Sequence, residues 1–355
     1  MTLESMGYNA YFSSAFIALG IKDAVPGRVA WQSAYSYRVW CEGGEMPAEP
    51  LGKVKAVELP AVGDWVAVRP PEGEGAGTIL AILPRKSAFS RNAAGRTVSE
   101  QVVAANVDEV FIITDLEGDL NLRRLERYIT LVYNSGASPV VVLNKTDLSA
   151  DVEGAVALAE GVSPGIPVYP VSAEEGTGMQ QLEKHLRPGR TLAFLGSSGV
   201  GKSTIVNRLL GEDRLEVGEV REGDGKGRHT TTHRELVLLP GGGAVIDTPG
   251  MREIRVWGDE DGLVDAFPEI DDLATSCRFR DCRHESEKGC AVLEALEDGS
   301  LDQGRLDSFR KLRSEFESLH RRRRQQARME ERREGKRFAK MVREVDRYNP
   351  KRKKP

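Results

Sequence analysis

The chain has 355 residues, with 50 Lys/Arg against 54 Asp/Glu, a formal net charge of −4, 40% hydrophobic residues and four cysteines. At about 100–200 residues per domain, this length predicts two or three domains with real cores and excludes a disulfide-stapled miniprotein. No run approaches the roughly 18 consecutive apolar residues of a membrane span, and the N-terminus has no basic stretch leading into an apolar one. The expectation is a cytoplasmic protein with no membrane partner, whose cysteines serve as thiols or metal ligands.

The small net charge hides a segregation. From His320 to Pro355 there are 16 Lys/Arg and 5 Asp/Glu, whereas residues 1–319 carry 34 basic and 49 acidic residues. An acidic body with a basic end predicts contact with a polyanion at that end.

Residues 1–25 are weakly patterned and read as an N-terminal extension. Residues 26–100 hold short β-favouring runs separated by Gly/Pro-rich turns, with no helix between them, which predicts a small barrel or sandwich. Residues 101–258 alternate strand and helix: apolar runs at 107–114, 138–144, 166–173, 190–196 and 243–250 are interleaved with helical stretches near 121–135, 152–160, 178–187 and 202–210. That alternation predicts an α/β domain with a mainly parallel sheet and ligand sites beyond the carboxyl ends of its strands. Residues 259–320 carry a Cys/His cluster and a helix, and 321–355 form a basic tail.

The strongest motif is GSSGVGKST, made of Gly196, Ser197, Ser198, Gly199, Val200, Gly201, Lys202, Ser203 and Thr204. It lies between a predicted strand and a predicted helix, where successive N–H groups can wrap a phosphate chain. Lys202 is expected to reach the β- and γ-phosphates and Ser203 to ligate Mg²⁺. Asn144, Lys145, Thr146 and Asp147 match the guanine-reading N-K-x-D pattern. A carboxylate can accept from guanine N1–H and N2–H₂, and adenine has neither donor, so Asp147 is the expected specificity residue. Ser172 and Ala173, after a further strand, would add backbone contacts to guanine O6. In the segment D-T-P-G, Asp247 is a candidate Mg²⁺ ligand and Gly250 a candidate γ-phosphate contact. Between the phosphate loop and D-T-P-G lies G-R-H-T-T-T-H, where a switch threonine is expected among Thr230, Thr231 and Thr232.

The order of these motifs is the informative point. N-K-T-D and S-A precede the phosphate loop, so the sequence reads as a circularly permuted GTPase in which the D-T-P-G switch becomes the last element of its domain. Beyond it, Cys277, Cys282, His284 and Cys290 offer four ligands, a complete tetrahedral shell for one structural zinc ion. Cys41 reads as a small buried apolar residue.

Taken together, the permuted order, GSSGVGKST, GRHTTT, DTPG, the C-x₄-C-x-H-x₅-C cluster and GDWV at 63–66 resemble the RsgA (YjeQ) family of circularly permuted ribosome biogenesis GTPases. The resemblance implies a multidomain fold: an N-terminal OB-fold β-barrel, a central circularly permuted P-loop α/β GTPase domain and a C-terminal zinc-binding domain with a helical basic tail. It implies GTP/GDP with Mg²⁺ and one Zn²⁺ as bound groups, the small ribosomal subunit and its rRNA as partners, and GTP hydrolysis stimulated by that rRNA; the chain is expected to be a monomer. Met251 follows D-T-P-G where Ras-like GTPases carry a water-positioning glutamine, so slow unaided turnover is expected and His229 is the candidate catalytic residue beside Lys202 and Gly250. Trp31, Tyr35, Tyr37, Trp40 and Trp65, with Arg85, Lys86 and Arg91, are a candidate RNA surface, although each aromatic taken singly is more expected in the core. Two rival readings are an RNA-binding scaffold in which nucleotide does not turn over, and a P-loop kinase or ATPase, which leaves N-K-T-D and D-T-P-G unexplained.

Overall fold

Alternating burial folds the first β-rich stretch into a closed barrel. In the computed structural model, which describes residues 2–33, 36–52, 54, 58–92, 100–211, 234–240, 242–247 and 261–348, strands β1 (Val25–Ser33), β2 (Ser36–Cys41), β3 (Gly44–Pro50), β4 (Trp65–Arg69) and β5 (Gly77–Ile82) pair in the cyclic order β1-β2-β3-β5-β4-β1. Only β3 and β5 are parallel. This five-stranded Greek-key closure is the OB-fold, and it leaves the barrel without a free edge. Trp65, Tyr37 and Trp40 are buried in it, so these aromatics are core residues and not a stacking surface.

The N-terminal segment packs against this unit. Helix α1 (Ala10–Ala18) starts at Asn9, whose side chain accepts from Tyr11 N–H. Tyr8 and Phe12 pack on Trp65 with ring centroids 4.9 and 5.7 Å away. The sequence hid this helix because it is apolar almost all round and shows no stripe.

Next come a hairpin, β6 (Ala88–Asn92) with β7 (Glu100–Ala105), and then the α/β domain: β8 (Glu109–Asp115), α2 (Leu122–Asn134), β9 (Ser138–Asn144), α3 (Val152–Val162), β10 (Val168–Pro170), α4 (Met179–Glu183), β11 (Thr191–Leu195), α5 (Lys202–Leu210), β12 (Arg234–Leu238) and β13 (Ala244–Asp247). The sheet order is β10-β9-β8-β11-β13-β12, parallel except for β12. Its central strands are buried on both faces and read as near-continuous apolar runs, as parallel strands between helices do. The edge strand β12 also pairs antiparallel with β1, Trp31 opposite Glu235 and Gln32 opposite Arg234, so barrel and GTPase sheet are hydrogen-bonded into one.

A buried arginine fastens this joint. From β1, Arg28 donates to the carbonyls of Gly63, Asn106 and Met6 and to Thr191 Oγ1 at 2.6 Å, and so touches barrel, linker, N-terminal segment and β11. Burial pushes its guanidinium down to about 10, against the pull of Asp108 and Asp64. Replacing Arg28 with methionine leaves several acceptors dry, and we expect a loss of about 3 kcal/mol or more, read as a lower urea midpoint.

From Asp261 the described chain carries four helices, α6 (Asp261–Ala266), α7 (Pro268–Ala274), α8 (Ala291–Glu297) and α9 (Gln303–Tyr348), with the Cys/His loop between α7 and α8. Helix α9 is continuous across residue 320 and spans about 69 Å at 1.5 Å per residue. Its first half buries Leu306, Leu312 and Phe316. Arg305 bridges Glu126 at 2.9 Å and Glu269 at 2.7 Å, and Arg127 Nη1 donates to both carboxylate oxygens of Glu315. The described side chains from 321 to 341 are all exposed.

Candidate functional site

The phosphate loop follows β11 and opens α5. Gly196, Gly199 and Gly201 have φ of 153°, 85° and 91°. A Cβ on Gly196 would meet the Ile113 carbonyl at 2.2 Å, and one on Gly201 would meet the Asn144 amide at 2.2 Å. Glycine is therefore required at both positions by close packing as well as by conformation. Lys202 Nζ donates to the carbonyls of Gly196 (2.9 Å) and Ser197, which holds the ammonium within the loop. Ser203 and Thr204 follow on the first turn of α5, half-buried. Glycine-lined N–H groups, a helix N-terminus and an adjacent ammonium fit a polyphosphate.

The end of β9 lies against this loop. Buried Asn144 donates through Nδ2 to the Val200 carbonyl at 2.8 Å and accepts the Ala173 N–H through Oδ1 at 3.0 Å. One side chain thus ties three segments, far apart in sequence, into one crevice. Lys145 takes a left-handed backbone, φ 61°, and its ammonium pairs with Asp115 at 3.1 Å and Glu117 at 3.0 Å. Thr146 N–H bonds the Val171 carbonyl at 3.2 Å, which leaves Asp147 exposed in the 3₁₀ turn Thr146–Leu148. Ser172 is buried and shapes its own turn, accepting Glu175 N–H through Oγ at 3.1 Å. Asp247 ends β13, in register with Glu235 of β12. His229, Thr230, Thr231, Thr232, Gly250 and Met251 lie outside the described residues.

The second cluster fits a metal. The ligand atoms of Cys277, Cys282, His284 and Cys290 all lie within 4.8 Å of one another. Cys277 Sγ is 3.7 Å from His284 Nδ1 and 3.8 Å from Cys290 Sγ, and His284 Nδ1 is 3.4 Å from Cys290 Sγ. Tetrahedral zinc with bonds of about 2.3 Å to sulfur and 2.0–2.1 Å to nitrogen has edges of about 3.8 and 3.6 Å, close to these separations. Without a cation, burial pushes the Cys282 thiol up to about 12. A bound divalent ion reverses that by stabilising the thiolates. Burial, then Arg313 and Arg310, hold His284 below its ordinary value and keep the imidazole neutral for coordination. The loop is pinned by Glu287, whose carboxylate accepts from the N–H groups of Arg283, Glu285 and Ser286 and is held down to about 2. It is fastened to α9 through Arg310 and Arg313, which donate to the His284 and Cys282 carbonyls.

Two expectations for the barrel surface change. Arg85 forms a bidentate pair with the fully buried Asp64 (2.6 and 2.7 Å) and also holds Glu58, so it is a structural residue. This pair also accounts for the GDWV motif, since Asp64 in addition accepts the Ala61 N–H. Lys86 lies over the rings of Tyr11 and Phe12 at 5.4 and 5.2 Å. Tyr35 and the Arg91 side chain are outside the described residues.

A phosphate loop on a central parallel strand, with the guanine motif on an earlier strand of the same sheet, defines a circularly permuted P-loop GTPase. The model of the RsgA GTPase family matches residues 82–257. The small ribosomal subunit biogenesis GTPase RsgA of Opitutus terrae is 48% identical over 329 residues, covering 89% of this chain and 90% of its own. That of Syntrophotalea carbinolica is 44% identical over 334 residues, 90% of each chain. The crystal structure of YjeQ from Thermotoga maritima superposes with a TM-score of 0.64 at 27% identity, covering 82% of this chain and 98% of that one. The circularly permuted GTPase YloQ gives 0.63 at 24% identity, a likeness of fold. The chain belongs to the RsgA GTPase family.

Proposed function

We propose that this GTPase acts in biogenesis of the small ribosomal subunit, binding the subunit and its rRNA and hydrolysing GTP in response. The observation that carries the reading is the crevice tied by Asn144, which joins a phosphate loop to a guanine motif in permuted order. The names of the relatives, small ribosomal subunit biogenesis GTPases, supply the setting. In this reading Asn144, Lys145, Thr146, Asp147, Ser172 and Ala173 frame the base, and residues 196–204 hold the phosphates. Mg²⁺ bound by Ser203 and Asp247 supplies charge neutralisation on the phosphates. Cys277, Cys282, His284 and Cys290 hold one structural Zn²⁺. The working form is a cytoplasmic monomer, organised as extension 1–25, barrel 26–100, GTPase 101–258, zinc domain 259–320 and basic tail 321–355.

The coupling follows from connectivity. In sequence, the segment bearing His229 precedes β12, which is paired to the barrel, and the D-T-P-G segment precedes α6, with residues 251–260 between them. Gly262 at the start of that helix donates its N–H to Asn134 of α2 at 3.0 Å. A nucleotide-dependent change in either switch would thus reach an RNA-facing unit without a long linker. The exposed basic half of α9 supports a polyanionic partner.

Because Met251 cannot orient water, His229 is assigned that role once the partner orders its segment. Substituting His229 with alanine should lower subunit-stimulated turnover about 100-fold and leave GTP affinity within about twofold. Normal stimulated turnover in that variant would remove His229 from the mechanism. GDP binding measured beside ADP tests the nucleotide assignment itself, and equal affinities would overturn it.

A further inference from the structure

The turn after β10 is gripped by a side chain that belongs to none of the nucleotide motifs. Arg208 sits near the end of α5, six positions after Lys202 on the same helix. Its Nε donates to the Ala173 carbonyl at 2.7 Å and its Nη2 to the Glu174 carbonyl. Gly176 passes close by with φ 84°, and a Cβ there would lie 3.1 Å from Nη1. The turn closes through Gly176 N–H to the Ser172 carbonyl at 2.8 Å and Ser172 N–H to the Thr177 carbonyl at 2.9 Å.

The Ala173 residue is therefore held at both polar ends, its N–H by Asn144 and its carbonyl by Arg208. Bonds from a guanidinium are charge-assisted and stronger than those between neutral groups. A trans peptide sets its N–H opposite its carbonyl. With the Ala173 carbonyl drawn onto α5, the Glu174 N–H of the same peptide is turned away from that helix. The Glu175 N–H is already taken by Ser172 Oγ. Glu174 N–H is left with no partner among the described residues, and of the open donors of this turn it is the one whose direction the Arg208 bond to the Ala173 carbonyl sets.

We propose that Arg208 is a positioning residue for guanine recognition: it orients the Ala173–Glu174 peptide so that the Glu174 N–H meets the purine O6, and it links the base subsite to the helix that carries Lys202 and Ser203. The inference rests on the reading of this crevice as a guanine site. It moves the expected O6 contact from the N–H groups of Ser172 and Ala173, which are taken by the Thr177 carbonyl and Asn144, to that of Glu174, and makes Arg208 the residue that sets it.

The test compares GDP, 6-thio-GDP, IDP and ADP in direct binding to the full chain and to the variants R208M and R208K. A sulfur at position 6 is a poor acceptor but leaves N1–H and the amino group intact, whereas inosine keeps O6 and lacks the amino group. Arg208 is exposed, so the substitutions leave the core untouched. The expected result is that R208M weakens GDP about tenfold, brings the GDP to 6-thio-GDP ratio towards one and leaves the GDP to IDP ratio unchanged, with R208K intermediate. An unchanged GDP to 6-thio-GDP ratio in both variants, whether or not overall affinity falls, overturns the role of Arg208. A wild-type chain that binds ADP as well as GDP overturns the guanine reading beneath it.

Discussion

Replacing Cys290 with serine should release the metal of the C-terminal domain and unfold that domain while the GTPase sheet stays folded. Cys290 is 2% exposed, supplies one of the four ligands and sits at the N-terminus of α8, where its carbonyl accepts from Leu293 and Glu294. Few hydrophobic residues hold the loop 277–290 together, so metal binding is the main term in its folding. Structural zinc contributes on the order of 10 kcal/mol of apparent folding free energy in small metal domains at pH 7. The loss should propagate to α9, because Arg310 and Arg313 anchor that helix on loop carbonyls and Phe309 packs 6.3 Å from the His284 ring. The expected readings are one zinc per chain in the wild type by elemental analysis, none in the variant, and an early second unfolding transition. A variant that keeps its zinc and unfolds in one step would contradict the assignment.

Substituting Asp147 with asparagine should invert the nucleotide preference. Asp147 is exposed at the end of a turn fixed by Thr146 N–H on the Val171 carbonyl, so its carboxylate is set by the backbone and not by side-chain partners that a mutation would disturb. An amide cannot accept from both N1–H and N2–H₂, but it can donate to the C2 carbonyl of xanthine. A site that leaves a buried polar group unpaired rejects the wrong ligand by about 10⁴, and we expect GTP to lose about 10² to 10³ in affinity while XTP gains. Retention of GTP affinity within tenfold would remove Asp147 as the base-reading residue. Unlike the Arg208 variants, this change should alter the GDP to IDP ratio.

These two sites were legible in the sequence because their chemistry is local. A phosphate loop needs glycines and a lysine within nine residues, and four ligands of a metal knuckle lie within fourteen positions. The barrel and sheet strands were legible for the same reason, as short apolar or alternating runs between turns. What escaped depends on partners far away in the chain. Arg28 looks like an exposed strand residue until Thr191 and Asn106 close over it. Arg85 looks like an RNA contact until Asp64 neutralises it. Strand β12 was hidden beside the Gly-rich polar segment before it, although R-E-L-V-L carries a β-type run; its role came from pairing with both β13 and β1. Arg208 has no motif because it acts on carbonyls, which carry no residue identity.

The −4 net charge is accordingly a sum over two differently placed populations. The acidic portion contains the crevice tied by Asn144, and much of the basic excess lies from residue 321 onward, where the described side chains of α9 are exposed. In the proposed function, nucleotide turnover in the one answers to RNA bound by the other. The measurement that tests it most directly is GTP hydrolysis by the full chain with and without purified small ribosomal subunits, at low and moderate salt. We expect slow turnover alone, a large stimulation by the subunit and a decline of that stimulation as salt rises. Turnover that is the same with and without the subunit would contradict it.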